Sequence, residues 1–478
     1  MATAYKTPGV YVEEIAKFPP SVAPVETAIP VFIGYTEKAQ EDIAADLHLK
    51  PTRISSLVEY EQFFGRPQKE ESVTVAATVT TKNSVVIEQK AVASLSETAR
   101  SKHILHYAMQ MYFANGGGPC WIISVDPYKS TFGAALVETE LHAGLDAAKK
   151  EDEPTLIVIP EAQSLSIGDF KTLQDAALAQ CAELQDRFVI MDVHGGAVSM
   201  SDPASNLLTA AGNFRSNAIG TNNLKYGAAY APNLETTLDF LVDGTKTNVT
   251  VTTDGTAATA VALDTLEAGN NALYALATAA VRDMVCKLPP SSAMAGIYAA
   301  VDRTRGVWKA PANLSVANVL APTIQFTNVE QDQLNVDVTA GKSINAIRPF
   351  IGLGTLVWGA RTLAGNDNEW RYINVRRFFI FVEESVKKAT GQFVFEPNDA
   401  NTWVKVQGMI ENFLTTQWRQ GALQGAKPEQ AFYVAVGLNK TMTALDILEG
   451  RMVIEIGMAA VRPAEFIILR FSHMMAQS

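Results

Sequence analysis

Cysteine and histidine are scarce in this chain, and too scattered to support several chemistries. The three cysteines, Cys120, Cys181 and Cys286, lie far apart with no paired spacing. That pattern fits buried thiols in a reducing compartment far better than a disulfide framework. None of the six histidines stands in a nucleophile arrangement. His103 and His106 are three apart and can share a helix face. No third ligand is near in sequence, so an ordinary packed or solvated pair is expected there and no metal. Positive charge is short as well: 39 Lys and Arg face 50 Asp and Glu, a formal charge of -11. General nucleic-acid binding needs a basic face and is excluded on that ground. Long apolar runs are missing too. No stretch reaches ~18 consecutive apolar residues, and the opening MATAYKTPGVYVEEIAKFPP has no run of signal-peptide length. A soluble chain made in the cytoplasm is expected, with no direct membrane insertion.

Phosphate chemistry lacks its loop. Gly341-Lys342-Ser343 looks like the end of a phosphate-binding loop, but that pattern needs a glycine where Val336 stands. Gly352-Leu353-Gly354 is not followed by a glycine at Val357, so the dinucleotide fingerprint fails too. Gly116-Gly117-Gly118 reads as a tight helix-to-strand turn. The acid pairs Glu13-Glu14 and Glu383-Glu384 are adjacent, so at most one of each pair faces a given partner. No catalytic, cofactor or metal residue is assigned, and the chain is not expected to be an enzyme.

The 478 residues are 47% apolar and 19% charged, enough for two or three domains with substantial cores. Charge is uneven. Residues 345–478 carry 14 Lys and Arg against 12 Asp and Glu, which leaves 25 against 38 for residues 1–344. An acidic body and a near-neutral, Arg-rich end are expected to face different surroundings, one solvated and one packed on partners. Aromatics concentrate from Ser343 to Pro397, where Trp358, Trp370, Tyr372, Phe378, Phe379 and Phe381 stand among Arg361, Arg371, Arg376 and Arg377. Rings interleaved with guanidiniums suit a packed surface where Arg stacks and aromatics anchor.

Along the chain, prolines at 8, 19, 20 and 24 make Tyr5–Pro24 an extended arm with a short apolar patch at Val10, Tyr11, Val12 and Ile15. Ile29–Tyr35, Cys120–Val125, Leu156–Pro160 and Phe188–Val193 read as buried strands. Helices are expected over Ser55–Gly65, Ala99–Ala114, Asp169–Leu184 and Trp403–Leu423. Aliphatic strands alternating with helices indicate an α/β sheet covered on both faces. β-rich insertions near 71–90 and 233–269 interrupt it. The end, from Met452 to Phe471, reads as two strands around Arg462-Pro463.

Several long blocks carry a family resemblance: TPGVYVEEI at Thr7–Ile15, YEQFFG at Tyr60–Gly65, YFANGGGPCWIISV at Tyr112–Val125 and AGIYAAVDRTRGVWKAPAN at Ala295–Asn313. INAIRPFIGLGTLVWGARTL, WRYINVRRFFIFVEESV, FVFEPN, FLTTQWRQGALQG and EIGMAAVRPAEFIILRF follow. The chain resembles contractile tail sheath proteins of myophages, R-type tailocins and phage-tail-like injection systems. Ser292 and Ala460 stand where that family often has Gly and Pro.

The resemblance implies a mixed α/β, multi-domain subunit, assembled in the bacterial cytoplasm, that stacks as hexameric rings around an inner tube protein. Baseplate and tail-terminator or cap proteins, and sister sheath proteins, are further implied partners. It divides the chain into an arm at 1–24, an outer body at 25–344, a C-terminal inner domain at 345–462 and a closing strand at 463–478. Trp358, Trp370, Tyr372 and Phe379 are expected in the C-terminal domain core. Strand exchange between subunits is expected through Pro8, Gly9, Val10, Tyr11 and Val12, and through Phe466, Ile467, Ile468, Leu469 and Phe471. Lys405 and Arg419 are candidate contacts to the inner tube. Two alternatives stand beside this: the large subunit of a type VI secretion sheath, and a nucleotide-using α/β enzyme. Type VI sheaths split between two chains, whereas arm and closing strand lie together here, which favours a single-chain sheath.

Overall fold

Ile33 and Gly34, neighbours on one strand, meet helices on opposite sides of the central sheet. A side chain at Gly144 would strike Ile33 and Val125, and one at Gly34 would strike Glu161 and Leu105. Successive strand residues point to opposite faces, so helices Glu138–Ala148 and Leu105–Ala114 cover different faces. The computed structural model describes residues 21–197 and 206–470. Of the expected strand-exchange residues, Pro8, Gly9, Val10, Tyr11, Val12 and Phe471 lie outside that range.

Among the described residues the main sheet has nine strands. Their order is Leu314–Ser315, Gly354–Val357, Ile344–Phe350, Gly227–Ala231, Phe188–Asp192, Leu156–Val158, Pro30–Thr36, Cys120–Pro127 and Thr52–Ile54. The run from Ile344–Phe350 to Cys120–Pro127 is parallel, and antiparallel strands close both edges. Pro30–Thr36 and Phe188–Asp192 are buried along their whole length, as their unbroken apolar sequences require.

Two buried carboxylates fix two helix starts. Glu161 accepts from the backbone N–H groups of Tyr35, Ile104 and Leu105 at 2.8, 2.9 and 3.3 Å. Asp192, the last residue of its strand, accepts from Ser291 N at 2.7 Å and Ser291 Oγ at 2.6 Å. Each thereby satisfies orphan N–H groups at a helix N-terminus, where the helix dipole also favours negative charge. Helices Leu105–Ala114 and Ser291–Arg305 pack on each other, so both caps serve one layer. The first helix starts at Leu105, where the sequence suggested Ala99. Its cap comes from a distant turn, and the segment before it is tied elsewhere, with Ser101 N donating to Glu70.

The two expected insertions fold together. Val73–Lys82 and Val85–Leu95 form a hairpin, and Val73–Lys82 also pairs in parallel with Asn248–Thr253, Val75 opposite Val249. Helix Asn271–Arg282 covers this second sheet with Leu273, Ala277 and Ala280. Leu234–Thr236 departs from the insertion and joins Cys286–Leu288 and Val319–Pro322.

The described chain forms two compact units, one of residues 21–25 with Val382–Val461, the other of Glu26–Phe381 with residues 462–470. The division thus lies at Phe381, not at Ile344 as the sequence suggested, because Ile344–Phe350 and Gly354–Val357 complete the main sheet. In the small unit, helix Ala400–Arg419 packs on the antiparallel pair Phe432–Val436 and Ile454–Met458. No helix among the described residues is long and apolar enough to cross a membrane.

Burial pushes the Asp192 carboxyl up to about 7, against the two bonds from Ser291 that favour its ionised form. The folded chain then keeps a proton that the unfolded chain loses near pH 4, so this contribution to stability declines as pH rises towards 7. Asn at this position cannot ionise. Urea unfolding at about pH 5 and pH 8 should show the parent losing on the order of 1–3 kcal/mol more than Asp192→Asn on going to the higher pH.

Candidate assembly site

Glu465 gathers four donors at the root of an exposed apolar segment. Arg361 Nε and Nη2 reach its carboxylate at 2.9 and 2.7 Å, Asn335 Nδ2 at 2.7 Å and Tyr372 OH at 3.1 Å. Burial alone would raise this acid; the bonds from Arg361, Asn335 and Tyr372 outweigh it and hold the group below its ordinary range. Arg361 is itself locked. The Asn345 side chain accepts from Arg361 N at 2.8 Å and donates to Arg361 O at 2.8 Å. Gly359 lets the backbone pass this close, since a Cβ there would lie 2.7 Å from Asn345 Oδ1. The WGAR block is therefore a mount for one guanidinium.

Beyond Glu465 the chain takes part in no strand pairing within the described residues. Phe466, Ile467, Ile468 and Leu469 are 69–79% exposed. The second strand expected near the end is present as an apolar segment without a ladder.

In the small unit the mirror situation occurs. Phe432–Val436 and Ile454–Met458 form a two-stranded ribbon with no third strand among the described residues. Val434 and Val436 are buried with Val406, Met409, Ile410, Phe413 and Leu414 of the helix. Tyr433 lies over Gly457 and donates to Glu455 at 2.6 Å. A two-stranded ribbon is marginal alone and leaves backbone groups open on its edges. On the helix, Lys405 and Arg419 are both exposed. Fourteen residues apart, they fall within about 40° of each other around the axis and roughly 21 Å apart along it.

The other arginines of the aromatic stretch are spent on packing. Arg377 makes a bidentate pair with Asp302 at 3.0 and 2.5 Å, donates to Thr27 O at 2.7 Å and lies over the Tyr298 ring. Both members of the pair are almost fully buried. Arg376 stacks 4.5 Å from the centroid of Trp370, and Lys225 lies 5.0 Å from the same ring. The four expected core residues sit differently. Trp358 is 40% exposed, while Trp370, Tyr372 and Phe379 are half-buried. All four belong to the large unit, and the buried rings of the stretch are Phe378 and Phe381.

Lys342, the residue behind the nucleotide alternative, is buried. Its Nζ donates to the carbonyls of Arg215 and Ile219, so it braces loops and has no approach to a phosphate. His103 accepts from Lys129 N, and His106 contacts Glu61, so their rings serve different partners. No group of three or more His, Cys, Asp or Glu that could hold a metal ion occurs among the described residues.

Residues 365–473 match the family described as Phage tail sheath C-terminal domain. The Tail sheath protein of Vibrio phage KVP40 is 25% identical over 128 residues, 27% of this chain but only 19% of that relative's length. The helical sheath of the anti-feeding prophage in its contracted state is 31% identical, with a TM-score of 0.61 over 98% of this chain and 99% of that one. The chain belongs to the contractile tail sheath family. The sheath complex of the extracellular contractile injection system PVC, also contracted, is 29% identical with a TM-score of 0.63 over 98% of both chains.

For this sheath-family subunit, the Arg377–Asp302 pair closes the large unit around Thr27. Removing the acid leaves a buried guanidinium without its countercharge. Asp302→Ala should lose about 3–5 kcal/mol in urea unfolding. Arg305→Ala, on the exposed end of the same helix, should stay within about 0.5 kcal/mol of the parent.

Proposed function

We propose that this chain is the structural subunit of a contractile sheath. It polymerises as stacked hexameric rings around an inner tube and contracts from a metastable extended lattice to drive the tube through a target envelope. The observation that carries this is the pairing of deficits on one chain: an apolar strand without a sheet, and a ribbon without its outer strands. Strand addition between subunits satisfies both with main-chain hydrogen bonds. Main-chain bonds accept many neighbours' orientations, so the rings stay linked while their angle changes. About five such bonds at ~0.5–1.5 kcal/mol each, plus buried rings, give several kcal/mol per link. The contact is heterologous and does not close on itself, which generates an open helix.

Phe466–Leu469 and Phe471 are the donated strand, and Pro8–Val12 the second arm, meeting the ribbon of neighbouring copies. Lys405 and Arg419, two exposed cations on one helix face, suit an anionic tube surface. Exposed pairs worth ~0–1 kcal/mol would release it on firing. The acidic body, with the second sheet, lies on the outside of the cylinder, and baseplate and cap proteins bound its ends. Contraction draws on the energy difference between two packings of the lattice and uses no nucleotide. The opening arm and the closing apolar segment lie on one chain, which favours this over one member of a split type VI sheath.

Deleting Met1–Pro20, or combining Phe466→Asp with Ile468→Asp, should leave a subunit with parent-like urea unfolding that forms no tubes or ring stacks in negative-stain microscopy. Full contractile particles from either variant would remove strand exchange from the mechanism.

A further inference from the structure

Phe395 combines two features that work against the isolated subunit. Its side chain stands wholly in solvent, at 102% relative exposure, and its backbone has a φ of 71°. Among the described non-glycine residues with positive φ it is the one aromatic. Asparagine and aspartate enter that region readily, whereas a bulky side chain there is strained. Water around a bare phenyl ring is a second unfavourable contribution. Asparagine would remove both, so nothing inside the subunit accounts for phenylalanine at this position.

The loop that carries it is braced on both sides. Upstream, Phe393 is buried, Val394 N donates to Gly391 O at 3.3 Å, and Glu396 N donates to Phe393 O at 3.1 Å. Downstream, Asn398 Nδ2 donates to Arg451 O at 2.9 Å, and Asn398 Oδ1 accepts from Trp403 Nε1 at 2.7 Å. Asp399 then caps helix Ala400–Arg419 by accepting from Thr402 N at 3.0 Å. All of these residues belong to the small unit. Phe393 fastens the loop, while Phe395 and the 62% exposed Val394 form an apolar knob beside exposed Glu396. Strain that the surroundings hold in place at an exposed residue points to a contact made outside the subunit. A preordered aromatic in that setting has the form of an interface anchor.

We propose that Phe395 is a docking knob that enters an apolar pocket on a second copy of this chain. This rests on the polymeric sheath proposed above, and it adds a side-chain anchor separate from the exchanged strands. In that assembly the knob has two abundant surfaces to meet, another copy and the inner tube. The tube has to slide free on firing, which suits weak contacts such as the exposed cations Lys405 and Arg419. A buried aromatic anchor lets go slowly. It suits the contact that is kept while the lattice repacks, which is copy to copy.

The test places p-benzoylphenylalanine, a photocrosslinking analogue, at position 395 of the full chain. Labelled chains are mixed as a minority with parent chains and assembled with the inner tube protein. Illumination should yield crosslinked pairs of sheath chains, with the attached peptide mapping to one apolar site on the second copy. A crosslink to the tube protein, or none within assembled tubes, overturns the proposal. Phe395→Asn supplies a second arm, since asparagine accepts the positive φ. It should unfold at a urea concentration no lower than the parent, yet tube yield in negative stain should fall at least tenfold. Phe395→Tyr, which keeps the ring, should match the parent. Parent-like tube yield from Phe395→Asn also overturns the proposal. So does a lowered unfolding midpoint, which would mark the ring as support for its own subunit. Parent chains that build no rings or tubes would sink the sheath reading itself, whereas a crosslink in the wrong place leaves that reading intact.

Discussion

Glu465 and Arg361 share a largely buried, hydrogen-bonded charge pair, and the exposed apolar segment starts at the next residue. Most of what is distinctive in the large unit's edge converges on that pair. Asn345 reaches across Gly359 to fix the Arg361 backbone, Tyr372 lies beside it through the Arg361–Tyr372 bridge, and Asn335 arrives from the end of a capped helix. Ion pairs of this kind add little net stability when both members are buried, because desolvation cancels most of the attraction. Their value here is geometric: a fixed exit for the chain.

Elsewhere, carboxylates act as splints. Glu161 and Asp192 each join a strand layer to a helix start, so the parallel sheet and one helix layer are connected by buried side-chain hydrogen bonds as well as by apolar contact. The joint at Arg377 works similarly, tying Thr27 and helix Ser291–Arg305 to helix Ile373–Thr390. Such bonds give the large unit directional stiffness that apolar packing alone lacks.

How much of this could be read from sequence divides by range. Strands Pro30–Thr36, Cys120–Pro127 and Phe188–Asp192 were legible because a strand buried on both faces is an unbroken apolar run. The turn at Gly65 and the Gly116–Gly118 break were legible because positive φ calls for glycine, and Gly65 and Gly116 have φ of 83° and 94°. The true start of helix Leu105–Ala114 was not, since its cap is a glutamate 56 residues from Leu105. Nor was the Glu465 cluster, whose partners come from 93 to 130 residues away. Trp358 was expected in a core from the family resemblance, yet it is 40% exposed. Ring size predicts contact area but cannot tell a subunit's interior from a surface that its neighbours cover. Joining of the two β-rich insertions escaped because parallel pairing between distant segments leaves no local turn signal.

That joint second sheet has a practical side. Its hairpin turns at Asn83-Ser84, both with positive φ and both exposed, the conformation of a tight two-residue loop. Residues added at this tip would lengthen a loop and leave every ladder intact. Cutting the whole hairpin away is a different matter, because Asn248–Thr253 would lose its parallel partner and become a long bare edge, inviting aggregation. Anyone decorating a tube built from this subunit should extend the tip and spare the stem.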